Sequence, residues 1–450
     1  MCIVFFTASQ HYSLIVASNR DEFLARPTST AKWHAWDPHT ATETITERNR
    51  VLSGLDLTAG GTWFGISLSP ASATATASRM HFATLTNYTE TVDATATPKP
   101  SRGNLVRDYL DVLADSESQP ATRRDRLQAY LDRIEHDKQL YAGFNLLVGE
   151  IDTLGDVRLG YTSNRESPTK RARVLPSLDP LPRSSSSSSS SAPEDDDPSP
   201  DAPSPHVKVH VRGLSNATLE VEPGENEWPK VKSGAAAVEQ VVSRFEASQL
   251  TDPAQREEQL AKGLYHALST AHPSPIRYRE HLRETVLVEP VYLDPSRPLQ
   301  AVPPPFPPPH PPPSPSLSVS GEAAHQHENK DENEVAPPAP SILPPSAAER
   351  MNDSPTPVTA ANNSSNDDSN GGRSTAGHLN WYATRVQTLL LVERKPGGKV
   401  IFRERDAYVL DDDDDDDGAG WNGRGTGTRS TTSRKKPKWS GQERRYEIRL

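Results

Sequence analysis

The chain has 450 residues, but 42 are proline and only 34% are apolar, so much of it cannot belong to a packed hydrophobic core. Its formal net charge is -11, with 49 Lys and Arg against 60 Asp and Glu, which argues against nucleic acid as a main partner. Cys2 is the only cysteine, which excludes intrachain disulfides and zinc sites that need several thiolates from one chain.

No stretch reaches the roughly 18 consecutive apolar residues of a membrane-spanning helix. Residues 1–25 lack a basic leader, and polar residues 10–12 interrupt their apolar runs, so a secretory signal is not expected. With a single cysteine, a reducing compartment fits best. We expect a protein of the cytoplasm that, if it works at an organelle, does so from the cytosolic side or through an unrecognised import signal.

The first elements in chain order are strands. Apolar runs at residues 2–6 and 13–18, separated by a polar turn at 9–12, predict an antiparallel pair. The patterns that follow predict strands at 62–68, 81–87, 144–148 and 157–161 and helices at 105–113 and 123–136.

The later part of the chain repeats this order. Its patterns predict a strand at 207–211, helices at 229–245 and 253–268, and a strand pair at 385–393 and 399–403. Strands grouped with strands and helices with helices favour a layered α+β domain over an alternating α/β fold.

Three segments have compositions that cannot form a core: residues 183–206, 295–376 and 411–440. We expect the first two to be disordered insertions within a single domain of residues 1–406. Residues 411–440 contain a run of seven Asp and a basic cluster, so residues 407–450 are predicted to be a mostly disordered tail.

Cys2 is the first candidate for chemistry. If Met1 is removed, Cys2 carries both a thiol and a free α-amine, whose typical pKa of about 7.7 suits a general base near neutrality. The alternative is that Cys2 begins an apolar edge strand, where a cysteine behaves as a small hydrophobic residue.

Four polar residues, Asn19-Arg20-Asp21-Glu22, directly follow the apolar run at 13–18. An antiparallel hairpin returns its second strand to the start of the first, which would bring Arg20 and Asp21 close to Cys2. There Asp21 can steer the amine, and Arg20 can favour the thiolate. The alternative is an ordinary surface turn with a solvated ion pair.

Three more polar residues lie at predicted strand ends. Asn87 and Asn216 can donate hydrogen bonds to a developing oxyanion, although asparagine is also a common turn residue. Arg385 can complete a polar pocket or form only an edge ion pair. The 14 histidines show no metal-binding spacing, so no metal site is predicted.

A series of short blocks in fixed order resembles the signature of the NRDE family, also called the transport and Golgi organisation 2 family. The blocks are MCIVFF, ASNRDEF, LSGLDL, GGTWFGIS, ATLTNY, SRGNLV, YAGFNLLVG, GLSNA, WPK and WYATR. The resemblance implies a four-layer αββα fold like that of N-terminal-nucleophile hydrolases, and similarity to cysteine amidohydrolases.

By that similarity, Cys2 would be the nucleophile, with Arg20 and Asp21 as its electrostatic partners. Asn87 and Asn216 would donate to an oxyanion, and Arg385 would be a pocket arginine. Arg20 and Asp21 are adjacent here, whereas the amidohydrolases separate the corresponding pair. Neighbours on a strand alternate between its faces, so we expect these two side chains to point to opposite sides.

The resemblance also implies roles in Golgi organisation, protein secretion and lipid or haem homeostasis. Three hypotheses follow: a protein that binds a small apolar ligand, a thiol amidohydrolase that cleaves a small-molecule amide, and a haem carrier. No cofactor is expected other than haem as a ligand. Peripheral association with organelle membranes, a Golgi-associated location and a mitochondrial pool are further expectations.

Overall fold

The structure is a computed structural model. It describes residues 2–36, 50–68, 79–88, 97–115, 126–167, 169–178, 209–219, 228–277, 280–293, 381–411 and 435–450. The strands are β1 (Ile3–Thr7), β2 (Tyr12–Phe23), β3 (Lys32–His34), β4 (Val51–Ser53), β5 (Phe64–Leu68), β6 (Met80–Asn87), β7 (Phe144–Ile151), β8 (Val157–Ser163), β9 (Arg173–Val174), β10 (Arg212–Leu214), β11 (Val291–Tyr292), β12 (Trp381–Glu393), β13 (Lys399–Asp406), β14 (Tyr408–Leu410), β15 (Pro437–Trp439) and β16 (Glu443–Arg449). The helices are α1 (Gly103–Asp115), α2 (Arg126–Asp137), α3 (Pro229–Glu246) and α4 (Pro253–Leu268), with short 3-10 turns at Lys138–Leu140 and Glu280–Arg283.

Two seven-stranded antiparallel sheets dominate the described residues. The first has the order β10-β1-β2-β12-β13-β16, with β11 also paired to β12. The second runs in chain order from β3 to β9. A separate two-stranded pair joins β14 and β15.

Hydrophobic contacts define the order of the layers. Val4 and Val16 of the first sheet share a buried cluster with Phe64 and Phe82 of the second, so the two sheets pack face to face. The outer face of the first sheet packs on α3 and α4, and the outer face of the second packs on α1 and α2. The order is therefore αββα, and both this order and the α+β class agree with the prediction.

Burial on both faces explains the first hairpin. All five residues of β1 are buried, because odd positions such as Phe5 face the helices and even positions such as Val4 face the second sheet. Close approach of α3 depends on Gly234, where an added Cβ would lie 2.2 Å from Cζ of Phe5. The helix therefore rests directly on that ring.

Most predicted elements are confirmed, with three differences. The strand expected at 207–211 lies instead at Arg212–Leu214. The Asn-Arg-Asp-Glu segment lies inside β2, which continues to Phe23 because β12 pairs with β2 along its whole length. Arg385 does not open a strand; it lies within β12, at an irregularity between Thr384 and Val386.

The end of the chain differs from the expected disordered tail. β16 pairs with β13 along seven residues and extends the first sheet, and Tyr408–Leu410 pairs with Pro437–Trp439. Composition alone misses β16 because most of its residues are charged and partly exposed, with Ile448 as the buried apolar contact. The predicted insertions at 183–206 and 295–376, and residues 412–434 of the tail, lie outside the described residues.

None of the helices described above is long and apolar enough to cross a bilayer.

Candidate functional site

Strand register brings three of the predicted site residues into one row. β1 pairs Ile3 with Asn19 of β2 and Val4 with Leu214 of β10. Continuing these registers along the strands aligns Cys2 with Arg20 on one side and with Asn216 on the other. The Ser215 hydroxyl donates a hydrogen bond to the main-chain oxygen of Cys2 at 2.8 Å, which anchors this end of β1.

This row opens into a cleft of about 830 Å³ that also reaches the second sheet and the segment before α1. Cys2 is partly exposed there. Trp63 and Leu85 supply apolar walls, and several cations line the remainder: Arg20, Arg26, Lys99, Arg102 and Arg165. A second cavity of about 490 Å³, beside Glu150 and Arg394, contains none of the predicted site residues.

Arg20 lies on the cleft side of the sheet and is 6% exposed. Its guanidinium carbon is 3.8 Å from the centre of the Trp63 ring, and Nη2 is 3.7 Å from Oε2 of Glu22. Nη1 is buried and has no hydrogen-bond partner among the described residues. Burial lowers the pKa of Arg20, and the charges of Glu22 and a Cys2 thiolate oppose that effect.

Asp21 points to the other face of β2, as expected for a neighbour of Arg20. It is 5% exposed, and Thr384 donates to its Oδ1 at 2.7 Å. The Tyr382 hydroxyl donates to its main-chain oxygen at 3.3 Å, and the thiol of Cys2 lies 3.9 Å from that oxygen. The two side chains therefore leave β2 on opposite faces, and the contact of Asp21 with Cys2 is made by its main-chain oxygen.

A hydrogen bond links the side chain of Asn216 to the main chain of Asn87. Nδ2 of Asn216 donates to the main-chain oxygen of Asn87, and Oδ1 of Asn216 lies 3.1 Å from the hydroxyl oxygen of Ser215. The Asn216 amide is therefore already engaged, whereas Asn87 is exposed and lines the cleft. Of the two predicted oxyanion donors, the geometry places only Asn87 on the cleft wall.

Arg385 does not line the cleft. Its Nη1 donates to the main-chain oxygens of Arg26 and of Phe23, the latter at 3.3 Å, so it holds the segment that follows β2. Burial, with a smaller effect from Arg20, lowers the pKa of Arg385 to about 10. Arg385 therefore stabilises the segment that follows β2 and is not the pocket arginine that was expected.

A tight turn positions Trp63. Gly60 has a φ of +71°, and an added Cβ on Gly61 would lie 2.4 Å from the carbonyl carbon of Gly103. This contact joins the turn to the start of α1. Asp56 accepts from the main-chain N–H groups of residues 58 and 59, and Arg26 binds its Oδ2 at 2.8 Å.

Two residues beside the site, Trp63 and Lys230, were not predicted as site residues. Both lie in signature blocks, GGTWFGIS and WPK. A lysine at the start of an amphipathic helix usually faces solvent, yet Lys230 is fully buried. Its position next to Trp228 and Pro229 was the available signal. The structure contains no cluster of His, Cys, Asp and Glu among its described residues that could hold a metal ion.

Comparison with known proteins agrees with the signature blocks. A family model described as Transport and Golgi organisation 2 matches residues 1–409. The chain is 35% identical over 179 residues to Transport and Golgi organization protein 2 homolog from Homo sapiens, a match covering 37% of this chain and 52% of that protein. The Mus musculus homolog is 33% identical over 178 residues, again 37% of this chain and 52% of that protein.

The match to Transport and Golgi organization protein 2 from Drosophila melanogaster is 33% over 164 residues, 34% of this chain and 46% of that protein. The chain spans about half the length of the curated relatives it matches. The family model itself extends over most of the sequence, from residue 1 into β14. The chain therefore belongs to the Transport and Golgi organisation 2 family.

Proposed function

We propose that this protein serves transport and Golgi organisation by binding a small molecule with an apolar part and an amide or other carbonyl group in the Cys2 cleft. The observation that carries the proposal is the row of Cys2 and Arg20 at the wall of an 830 Å³ cleft that is faced by Trp63. Cavities of this size suit small molecules, and their few polar groups fix the orientation of the ligand.

The side chains that line the cleft suit such a ligand. Arg20 lines this cleft, and its guanidinium would donate a hydrogen bond to a ligand carbonyl oxygen. Trp63 and Leu85 would cover the apolar part. Glu22 and Asp56 balance only part of the positive charge of the cleft, and the positive charge that remains would attract the negative end of a ligand carbonyl dipole.

Protection of Cys2 from alkylation tests the binding. Cys2 is the only cysteine, so iodoacetamide labelling reports this site alone. Decanamide, which joins an apolar tail to an amide, should slow labelling in proportion to its concentration. The control is Leu154→Cys in a Cys2→Ser background, since Leu154 is 61% exposed and outside the cleft. Equal labelling of Cys2 with and without the probe, across a series of apolar amides, would reject the proposal.

The second candidate is hydrolysis of the bound amide, favoured by the position of the thiol at the cleft wall. With Met1 removed, the α-amine of Cys2 would take the thiol proton, and the thiolate would attack the amide carbonyl. The C–N bond would break as the ammonium returns a proton to the leaving amine, and water would then cleave the thioester. Mass spectrometry of the native N-terminus tests the precondition: a retained Met1 or a blocked amine removes this candidate.

Haem is the third candidate ligand. Among the residues that line the described cleft, only Cys2 has a side chain that commonly ligates haem iron. Haem bound there would give a Soret band that titrates with added haemin and changes in Cys2→Ser. A flat titration would exclude haem.

We infer a location in the cytoplasm with association at the Golgi. The support is the family name together with a single cysteine, which suits a reducing compartment. Fractionation of cells that express the full chain tests this, because recovery in the secretory lumen would contradict it. The same fractions would detect a mitochondrial pool or peripheral binding to organelle membranes.

A further inference from the structure

Exposed apolar side chains are concentrated around the mouth of the Cys2 cleft. Among the described residues, six large apolar side chains are exposed, and four of them surround this mouth: Phe23, Leu57, Leu140 and Tyr292. Their exposed fractions range from 39% to 61%. We call these four residues the apolar rim. Large apolar groups that share one exposed region are typical of a contact surface, whereas single scattered ones are not.

Two members of the rim lie at the end of the first sheet. Phe23 lines the cleft, and its ring centre lies 5.4 Å from that of Tyr382 in an edge-to-face contact. Tyr292 pairs with Trp381, the residue before Tyr382, and the two rings are 5.3 Å apart. Four aromatic residues therefore share the strand ends beside the cleft.

The other two members lie in turns that reach the cleft wall. Leu57 follows Asp56, and both Asp56 and Ala59 of that turn line the cleft. Leu140 ends a short 3-10 turn and is followed closely by Ala142, which also lines the cleft. The rim thus comes from separate segments of the chain that meet around one opening.

Cationic side chains lie between members of the rim. Arg26 binds Oδ2 of Asp56 at 2.8 Å, which holds it beside Leu57. Lys99 is exposed, and its Nζ donates at 3.4 Å to the main-chain oxygen of the residue after Leu140. Apolar side chains interleaved with lysine and arginine are typical of proteins that lie on an anionic lipid surface, where the apolar groups enter the interface and the cations meet the headgroups.

The net charge of the whole chain, -11, does not oppose such a contact at physiological salt. Exposed charges more than about 8 Å apart are largely screened there, so the side chains at the mouth itself govern the contact. Of the charged residues that line the cleft, five are cationic and three are acidic. The mouth therefore attracts an anionic surface.

We propose that the mouth of the Cys2 cleft docks on an anionic lipid membrane through the apolar rim, so that an apolar ligand passes between bilayer and cleft without entering water. Exposure of an apolar chain to water is unfavourable, which gives an opening that faces the bilayer an advantage. A soft lipid surface can also cover four separated side chains without the shape complementarity that a protein interface needs. The ligand route rests on the proposed function, whereas the docking rests on the rim.

Flotation of the full chain with lipid vesicles tests the docking. Phosphatidylcholine with about 30 mol% phosphatidylserine supplies an anionic surface, and pure phosphatidylcholine supplies a neutral one. We expect the wild type to float with the anionic vesicles, and less of it to do so as NaCl rises from about 0.1 M to about 0.5 M. A full chain that does not float with the anionic vesicles overturns the proposal.

Leu140→Ser and Leu154→Ser form a matched pair, because both leucines are 61% exposed and Leu154 lies in the turn between β7 and β8, away from the cleft. We expect about threefold weaker vesicle binding for Leu140→Ser and about tenfold for Leu57→Ser/Leu140→Ser, from the apolar area that no longer enters the interface. Leu154→Ser should bind as the wild type does. Equal binding by the wild type and the double variant, or an equal loss in Leu154→Ser, contradicts docking through the rim.

The cations are tested separately. Lys99→Gln should bind anionic vesicles about fivefold more weakly, as expected for one basic residue near a charged membrane. The control is Lys262→Gln, whose side chain is 76% exposed and outside the cleft, and no change is expected there. The same loss in both variants would show that the attraction is not local to the mouth, and it would overturn the proposed orientation.

Two further outcomes separate this inference from its alternatives. A dimer in solution that Leu57→Ser/Leu140→Ser dissociates would assign the rim to a second copy of the chain and overturn membrane docking. Protection of Cys2 by decanamide needs no vesicle, so protection without vesicle binding would keep the proposed ligand and reject the docking. Vesicle binding without protection would keep the docking surface and reject the ligand.

Discussion

The guanidinium carbon of Arg20 lies 3.8 Å from the centre of the Trp63 ring, so a residue of the first sheet stacks on the residue that leads into a strand of the second. Arg20 is in β2, and Trp63 immediately precedes β5. The stack therefore links the two sheets at the wall of the cleft. It also holds the guanidinium of Arg20 at the wall of that cleft.

We expect Trp63→Leu to lower the free energy of unfolding more than Trp63→Phe does. Loss of a buried cation–π contact costs about 0.5–2 kcal/mol, and the leucine also leaves part of the indole volume empty. Urea unfolding measures both variants. Trp439→Leu is the control, because Trp439 is 43% exposed, contacts Arg405 and lies outside the cleft. Equal unfolding midpoints for the two Trp63 variants would contradict a role for the aromatic stack.

Gly61→Ala should disturb the cleft without touching a polar group. The new Cβ would lie 2.4 Å from the carbonyl carbon of Gly103, and two backbones cannot separate without moving the start of α1. Overpacking of this kind costs about 1–3 kcal/mol. Urea unfolding and Cys2 alkylation should both change, whereas Ala59→Ser in the same turn should leave them as in the wild type. A wild-type unfolding midpoint for Gly61→Ala would show that the backbones at Gly61 and Gly103 can move apart without a cost in stability.

The burial of Glu404 predicts that the free energy of unfolding falls as the pH rises. Its side chain is buried and accepts a hydrogen bond from the Ala31 N–H at 2.7 Å, with Arg444 at 3.4 Å. Burial raises the pKa of Glu404 to about 7 from a usual 4.5. The folded chain therefore holds this proton more tightly than the unfolded chain, and the free energy of unfolding falls between these two pH values by about 3 kcal/mol.

Urea unfolding at several pH values between about 5 and 8 checks this slope. Glu404→Gln keeps the oxygen that accepts from Ala31 and should flatten most of the dependence. A smaller slope remains because burial also raises the pKa of Asp406. Glu447→Gln is the control: Lys399 and Arg445 lower the pKa of Glu447, so its stabilisation is lost only in acid, below this window. The same slope in wild type and Glu404→Gln would refute the assignment.

Deletion of residues 296–376 together with 412–434 should preserve cooperative unfolding of a single domain. The first deletion is well placed because Tyr292 pairs with Trp381, so the chain leaves and re-enters the sheet at neighbouring positions. The second stops before Pro437–Trp439, which forms β15. Two separate unfolding transitions in the shortened protein, or none, would contradict a single domain that includes β16.

Removal of residues 435–450 should behave differently. It deletes β16, exposes the edge of β13 and uncovers the core around Ile448, which we expect to lower the free energy of unfolding by about 3 kcal/mol or more. The matched deletion is 412–434, which should leave the unfolding midpoint near that of the full chain. Equal midpoints for the two deletions would show that β16 adds nothing to the sheet.

Local patterns were sufficient for the residues around Cys2. The hairpin of β1 and β2 is encoded within about twenty consecutive residues, and its antiparallel pairing alone places Arg20 and Asp21 at the Cys2 end. Strand alternation also predicted that these two side chains face opposite ways. The α3 and α4 helices followed from apolar periodicity and from proline in the first turn.

Long-range packing decided the rest. Trp63 and Lys230 reach the site only because one sheet stacks on the other and α3 crosses β1, and periodicity carries no information about which faces meet. The same limit explains Arg385, whose guanidinium is held by main-chain oxygens after β2. β16 was missed because its charged residues are neutralised by partners on other elements, such as Glu257 for Arg445.

By itself the sequence determined the family blocks, the first hairpin and the thiol at its open end, because these depend on residue type and short spacing. Only the tertiary structure decided which cations surround that thiol, which asparagine remains on the cleft wall and where the first sheet ends. Those features depend on contacts between residues separated by tens to hundreds of positions, and such contacts are selected by the packing of whole layers.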